Sequence, residues 1–280
     1  MTKKLRVPNL VIVSDLHCGC RVGLCPPEPV SLDGEGTYHA SKLQLKMWAM
    51  WREFWDVWVP EACRNEPYAV VVNGDSLDGV HHNSTTQISH NLKDQADVAE
   101  AILKPIVEAC DGRFYIIRGT EAHVGKSGVE EERLAKSLGA VPDEAGRFAR
   151  YELWARVGTA LVHLMHHIGT TSSSAHEASA VNAELTASYV EAARWSEEPP
   201  DYVVRSHRHR AIVVDLDCAK GYAAGIVTPG WQAKTPFAYK IAGARLAPPQ
   251  FGGFLIRQGN EEHFYRRKVF SIGRPKEVRV

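Results

Sequence analysis

The chain has 280 residues, 44% hydrophobic and 24% charged, the make-up of a folded globular protein with ample core and no case for disorder. Lys and Arg number 33 and so do Asp and Glu, which excludes a generally basic nucleic-acid coat and leaves room only for a local patch. No apolar run is long enough to span a bilayer and no apolar signal region follows the first residues, so no membrane association and a cytoplasmic location are expected.

Residues 9–14 are apolar and β-branched and predict a first strand, which runs into Asp15-Leu-His17. Side chains alternate along a strand, so Asp15 and His17 point the same way and form half of a metal site. Residues 18–38 are a Gly- and Pro-rich loop carrying Cys18, Cys20 and Cys25. A zinc loop would need a second Cys pair, which is missing, so reduced thiols are expected. From Ser41 to Cys63 the pattern is helical, with Trp48, Trp51, Trp55 and Trp58 on one face packed against a sheet and Pro60 near the end.

Tyr68–Asp75 repeats the opening logic: an apolar strand, a turn glycine, then a carboxylate. The loop Ser76–Ser89 holds Asp78, His81, His82 and Asn83, and a helix is expected over 91–109. Arg113–Gly119 is a third strand, ending in Thr120-Glu-Ala-His123, and a short helix runs from Val129 to Leu138. This alternation predicts a parallel sheet with crossover helices. The second half changes to hairpins: 150–157 with 159–166 about Gly158, and 211–217 with 221–227. Between them lie a helical stretch over 174–196 and a short strand over 201–205, followed at once by Ser206-His-Arg-His209. Strands at 254–257 and 263–270 precede a short basic tail, so the expected organisation is one domain over 1–270 with a tail over 271–280.

Five Asp and His clusters therefore stand at strand ends: Asp15/His17, Asp75, Thr120–His123, His166/His167 and His207/His209. Carboxyl ends of strands are where α/β sheets bind ligands. Imidazole with carboxylate suits Mn, Fe, Zn or Ni, and two adjacent ions would use this many ligands. Inside its strand, His163 reads instead as a satisfied buried histidine.

The order Asp15-Leu-His17, Gly74-Asp75, Gly119-Thr-Glu-Ala-His123, His166 and Ser206-His-Arg-His209 resembles the motif set of the calcineurin-like metallophosphoesterases, over residues 11 to 210. The resemblance implies a four-layer α/β/β/α sandwich of two mixed sheets flanked by helices. It implies two divalent ions, Mn first and Fe, Zn or Ni as alternatives. Asp15, His17 and His209 would hold one, His166 and His207 the other, with Asp75 bridging, and a bridging hydroxide would attack phosphorus in line. His167 is the alternate for His166.

The third motif departs from the family pattern: Thr120 stands where the family has its Asn ligand and Glu121 where it has a catalytic His. Glu121 as an oxygen ligand and His123 as the proton donor are the expected replacements. A weakly held second ion, with a slow or inactive enzyme, is the other reading. Thr120, His82 and Asn83 are further candidates for the shell of metal or substrate. Arg208, with Arg118, is the candidate for substrate phosphate, and the arginines around it suit a phosphodiester, nucleic acid included. The expected activity is thus phosphodiester hydrolysis. A phosphomonoesterase or protein phosphatase of the same family, a non-catalytic binding member and a one-metal amidohydrolase-like enzyme are the alternatives. The oligomeric state is left open.

Overall fold

The computed structural model describes residues 7–81, 83–125, 127–169, 173–241 and 245–280. In chain order the strands are β1 (Asn9–Val13), β2 (Val30–Ser31), β3 (Thr37–Tyr38), β4 (Tyr68–Asn73), β5 (Phe114–Ile117), β6 (Ala149–Arg150), β7 (Leu153–Val157), β8 (Ala160–Leu164), β9 (Tyr202–Arg205), β10 (Ile212–Cys218), β11 (Gly221–Val227), β12 (Gln250–Gln258) and β13 (His263–Ser271). The α-helices are α1 (Lys42–Glu53), α2 (Val59–Ala62), α3 (Leu92–Ala109), α4 (Glu121–Val124), α5 (Val129–Ser137) and α6 (Glu177–Trp195).

Every residue of β1 is buried because it lies inside a sheet covered on both faces. That sheet runs β13-β12-β1-β4-β5-β6, with β1, β4, β5 and β6 parallel and β12 and β13 antiparallel to their neighbours. The second sheet runs β10-β11-β9-β8-β7, parallel at β11–β9 and β9–β8 and antiparallel at its two edges. Alternation along the strands sorts the side chains into layers. Val11, Val13, Val70, Val72 and Leu255 pack with Met47, Trp51, Ile102 and Leu134 of the helices. Leu10, Ile12, Val71, Phe254 and Ile256 face Val162, Leu164, Tyr202, Val204 and Ile226 of the second sheet. On that sheet's outer face Val203 and Ala223 meet Leu185 of α6. The layers are thus α/β/β/α, two mixed sheets between helices, as the sequence predicts.

The tryptophan helix departs from a plain α-helix. Pro60 has no N–H to donate, and just ahead of it Phe54–Trp58 form a π-helical turn in which Val59 N–H reaches Phe54 O. The widened turn leaves Phe54, Trp55 and Trp58 all buried, and Trp51 meets Trp231 edge-on at 4.8 Å. The expected strand over 150–157 is split: Ala149–Arg150 joins the first sheet and Leu153–Val157 the second. The loop after β1 carries the small β2–β3 ribbon. All six cysteines are free thiols, five of them buried. No described helix is long and apolar enough to cross a membrane.

The two sheets are joined at their carboxyl ends by a buried polar seam. Asn73 Nδ2 donates to Met165 O at 3.0 Å and to Ser206 Oγ at 2.7 Å. Ser206 and Ser14 each hydrogen-bond Thr228 Oγ1 at 2.7 Å. The seam fixes the ends of β1, β4, β8, β9 and β11 against one another, and the functional cluster stands directly on it.

Phe254 is fully buried between the sheets. Phe254→Ala is expected to cost about 3–5 kcal/mol in chemical denaturation, while Val57→Ala on the exposed side of the tryptophan helix stays within about 0.5 kcal/mol. Equal losses at the two sites would contradict the layer assignment.

Candidate metal centre

Each strand end turns abruptly as it delivers its side chains. Asp15, His17, Asp75, His207 and His209 all have left-handed backbone, with φ of 52°, 46°, 52°, 70° and 51°. Such a conformation costs a non-glycine residue about 1–3 kcal/mol and persists only where the surroundings impose it. Here it folds the chain back so that Asp15 and His17 can share a ligand group while Leu16 between them is buried among apolar neighbours. Backbone bonds lock the turns together: Asp15 N–H donates to Gly74 O at 2.9 Å and His17 N–H to Asp75 O at 3.0 Å.

Four groups of potential ligands result among the described residues, each with its donor atoms within 4.8 Å of one another: Asp15, His17 and His209; His17, Asp75 and His123; Asp75, His166 and His207; and, beside them, Asp78, His81 and His123. His17 Nε2 and His209 Nε2 are 3.1 Å apart, and His209 Nε2 lies 3.2 Å from Asp15 Oδ1. His166 Nε2 lies 3.0 Å from Asp75 Oδ2. Glycine makes room for this convergence. A Cβ on Gly119 would fall 1.9 Å from Asp75 Oδ1, and one on Gly74 would fall 2.2 Å from His166 Nδ1.

The residues around the ligands fix their tautomers. His166 Nδ1 donates to Asn73 O at 2.7 Å, which turns Nε2 toward Asp75. His17 Nδ1 lies 3.3 Å from Asp78 Oδ1, which turns its Nε2 toward His209. Asp78 is itself held by Gln87 Nε2 at 2.8 Å and Gln232 Nε2 at 3.1 Å. His123 Nδ1 donates to Asp78 O at 2.6 Å and its Nε2 stands 4.0 Å from Asp75 Oδ2. Behind the cluster, the fully buried Glu131 accepts from Ser76 N–H at 2.9 Å and Gly119 N–H at 2.7 Å, tying the loops after β4 and β5 together.

Electrostatics follow from burial and neighbours. Burial alone would raise Asp15, but His209 and then His166 outweigh it and hold the carboxyl at about 2. Burial is likewise outweighed at Asp75, kept well below the carboxylate range by His166, His123 and His17. Burial pushes His123 and His207 down to about 4, so both are neutral at pH 7 with a lone pair to offer. His166 resists burial and rises to about 10, because Asp75 holds its proton. Burial and the charge of Asp75 raise Glu131 to about 7.

The donor set fits divalent transition ions. Buried Asp15 Oδ1 and His166 Nε2 face only oppositely charged members of the cluster, His209 at 3.2 Å and Asp75 at 3.0 Å, and imidazole with carboxylate is the ligand chemistry of Mn, Fe, Zn or Ni.

Of the residues singled out from sequence, Asp15, His17, Asp75, His123, His166, His207 and His209 come together here. Thr120 turns to the Asp75 carboxylate. Its N–H donates to Asp75 Oδ1 at 2.8 Å, and its hydroxyl lies 3.2 and 3.3 Å from the two carboxylate oxygens. Glu121 opens α4 exposed to solvent and outside every group, so it does not stand in for the missing Asn. His167 is exposed, its ring 4.7 Å from that of His207, and Asn83 is exposed in its loop. His82 lies outside the described residues. His163 stacks on Trp154 at 4.1 Å and faces Glu152 at 3.2 Å.

The two candidate substrate arginines are committed elsewhere. Arg118 donates to Ala149 O, Ser127 O and Tyr151 Oη, and Arg208 to Glu177 O and Gly169 O. Sequence reasoning left Asp78 unassigned, although its place three residues after Asp75 in a post-strand loop was a usable signal. Nothing in the sequence marks Gln232 or Glu131 as belonging to the cluster, since both arrive from distant segments.

No family model matches the chain, and no curated protein matches it significantly. Among solved structures it is similar to Vacuolar Protein Sorting 29 from Cryptosporidium parvum, at 10% identity over 95% of this chain and 100% of that one, with a TM-score of 0.41. A predicted phosphoesterase from Streptococcus pneumoniae matches at 9% identity over 95% and 99%, TM-score 0.36. A Thermotoga maritima protein solved in solution matches at 12% identity over 94% and 100%, TM-score 0.40. At these identities and scores the likenesses carry no weight for function, and the chemistry of the cluster stands on its own geometry.

Because Asp75 holds a proton on His166 in the metal-free chain, an ion at this site must displace it. Calorimetric titration of Mn²⁺ at pH 7 in buffers of different ionisation enthalpy is expected to show release of about one proton, with affinity rising about tenfold per pH unit as the proton becomes easier to remove. Heats independent of the buffer would contradict the protonated pair.

Proposed function

We propose that the protein is a metal-dependent phosphoesterase acting on phosphodiesters. The observation that carries the reading is the pair of ligand groups, Asp15/His17/His209 and Asp75/His166/His207, set side by side at the joined ends of two sheets. A cluster of this composition would hold two divalent ions. When bound, they would supply Lewis acidity that neutralises charge on the phosphoryl oxygens and acidifies water.

The chain's own residues do the positioning. The left-handed turns and the Asn73–Ser206–Thr228 seam hold the ligands in place before any ion arrives, so little reorganisation is left for binding. His123, neutral and with Nδ1 occupied by Asp78 O, presents Nε2 as a ligand or proton acceptor. It can assist a leaving group only after taking up a proton there. Thr120 steadies the Asp75 carboxylate and so keeps it oriented between the two groups. Of the arginines beside the motifs, Arg118 and Arg208 donate to backbone carbonyls, and Arg205 and Arg210 are paired with Glu184 and Glu177. A site with no free guanidinium among these suits the single charge of a phosphodiester better than the double charge of a monoester, for which paired Arg contacts are the usual means of recognition. A second reading rests on Thr120, whose hydroxyl lies 3.2 Å from Asp75 Oδ1 where the resemblance expects an Asn: the chain would bind an ion and a partner without turnover.

With Mn²⁺ the chain is expected to hydrolyse bis-(p-nitrophenyl) phosphate faster than p-nitrophenyl phosphate, and Asp75→Asn should cut the diester rate by about 10³-fold or more. Faster monoester cleavage would overturn the diester assignment. No cleavage of either ester with Mn²⁺, Zn²⁺ or Ni²⁺ would leave the binding reading in place of the enzyme.

A further inference from the structure

The loop that leaves the metal centre has an unusual composition. Between Cys218 and Asn260 the chain carries five cations, Lys220, Lys234, Lys240, Arg245 and Arg257, and no acidic residue. Lys220 is paired with Glu198, and Arg257 is buried on Asn9, Cys63 and Glu66. The remaining three lie in the segment between β11 and β12, and none of them forms an ion pair among the described residues. Lys240 and Arg245 are exposed, and Lys234 is half-buried. Interleaved with them, Phe237 is 59% and Tyr239 61% exposed. Large aromatic rings normally seek burial, so a lip that exposes two of them beside three cations that face no carboxylate among the described residues offers aromatic surface and positive charge together.

This lip is continuous with the site. Trp231 N–H donates to Asp15 O at 2.8 Å, and Gln232 Nε2 reaches Asp78 at 3.1 Å. A Cβ on Gly230 would stand 3.0 Å from both Asp15 Cβ and His209 Cγ. Ala233 N–H then donates to Val22 O, which brings exposed Arg21 to the base of the same segment. Phe237 is five residues past Gln232, so its Cα lies within about 18 Å of that of Gln232 even if the chain is fully extended. Lys234 Nζ sits 5.3 Å over the ring of Tyr239 and donates to Arg245 O, which ties the lip together at its two ends.

We infer that residues 232–241 with Arg245 form a seat for single-stranded polynucleotide, whose bases stack on Phe237 and Tyr239 while Lys234, Lys240 and Arg245 meet the phosphates. The inference rests on the phosphodiesterase reading and names its substrate class. Stacking on aromatic rings is tolerant of sequence and needs unpaired bases, which favours a single strand over a duplex. Of the cations that the sequence placed near the motifs and at the C-terminus, several are spent on carboxylates. Arg205 and Arg210 are paired with Glu184 and Glu177, and in the last strand and tail Lys268 and Arg266 are paired with Glu53 and Glu61.

The test is fluorescence anisotropy of the chain with 5′-labelled oligothymidylate in EDTA, where no diester is cleaved. Binding is expected to weaken as salt rises. Phe237→Ala with Tyr239→Ala should lower affinity about tenfold or more at unchanged melting temperature. Lys234→Ala with Lys240→Ala should flatten the plot of log affinity against log salt by about 1.4. Equal affinity for duplex of the same length, binding indifferent to both double variants, or capture of anionic phosphatidylserine vesicles in place of the oligonucleotide would each overturn the seat. Hydrolysis of bis-(p-nitrophenyl) phosphate by the unaltered chain keeps the two claims apart. Cleavage without oligonucleotide binding removes the seat alone, and lip-dependent binding without cleavage removes the esterase reading alone.

Discussion

The carboxylate of Asp75 is the constraint on which the rest of the site depends. It is buried at the end of β4 on left-handed backbone, and an ionised carboxyl there is stable only with charge or hydrogen bonds around it. His166 supplies a proton at 3.0 Å, Thr120 supplies its N–H and hydroxyl, and His123 stands at 4.0 Å. Gly119 is the residue that lets the carboxylate lie where it does, since any side chain there would occupy the space of Oδ1. Glu131 then adds a second buried carboxyl behind the first, raised to about 7 by burial and next by the charge of Asp75. Cations relieve that crowding, and the histidines face inward in the tautomers that receive them.

Much of this was legible in the sequence because it rests on short-range rules. Apolar runs leading into Asp- or His-bearing ends gave β1, β4, β5 and β8, and the change from crossover units to hairpins in the second half matches the two mixed sheets. The choice of His166 over His167 followed from the same alternation, and the structure has His166 buried on Asp75 and His167 exposed. What could not be read was settled by long-range partners. Asp78 joins the cluster through Gln87 and Gln232, and Glu131 through backbone N–H groups of two different loops. The charge of Arg118 and Arg208 pointed toward a substrate, but a guanidinium has five donors and nearby carbonyls claimed them. The split between β6 and β7 was invisible because Tyr151 and Glu152, the two residues that carry the chain from one sheet to the other, break no local pattern.

The site and its surroundings divide the work. The seam of Asn73, Ser14, Ser206 and Thr228 supplies rigidity, the left-handed strand ends aim the ligands, and Asp78, with Asn73 O, sets the imidazole tautomers. The segment after Trp231 carries charge and exposed aromatic surface away from the ligands and into solvent. Thr120 marks where this chain departs from the pattern it resembles. It offers Asp75 hydrogen bonds in place of a metal ligand, and His123 is the nearest nitrogen that can answer for the difference.

Two ions held by these groups would both draw on Asp75, so the most direct measurement is metal content. Elemental analysis of the purified chain after loading with Mn²⁺ and removal of free ion should find two ions per chain, and Asp75→Asn should lose at least one of them. One ion per chain in the unaltered protein, with the same content in Asp75→Asn, would contradict the shared centre.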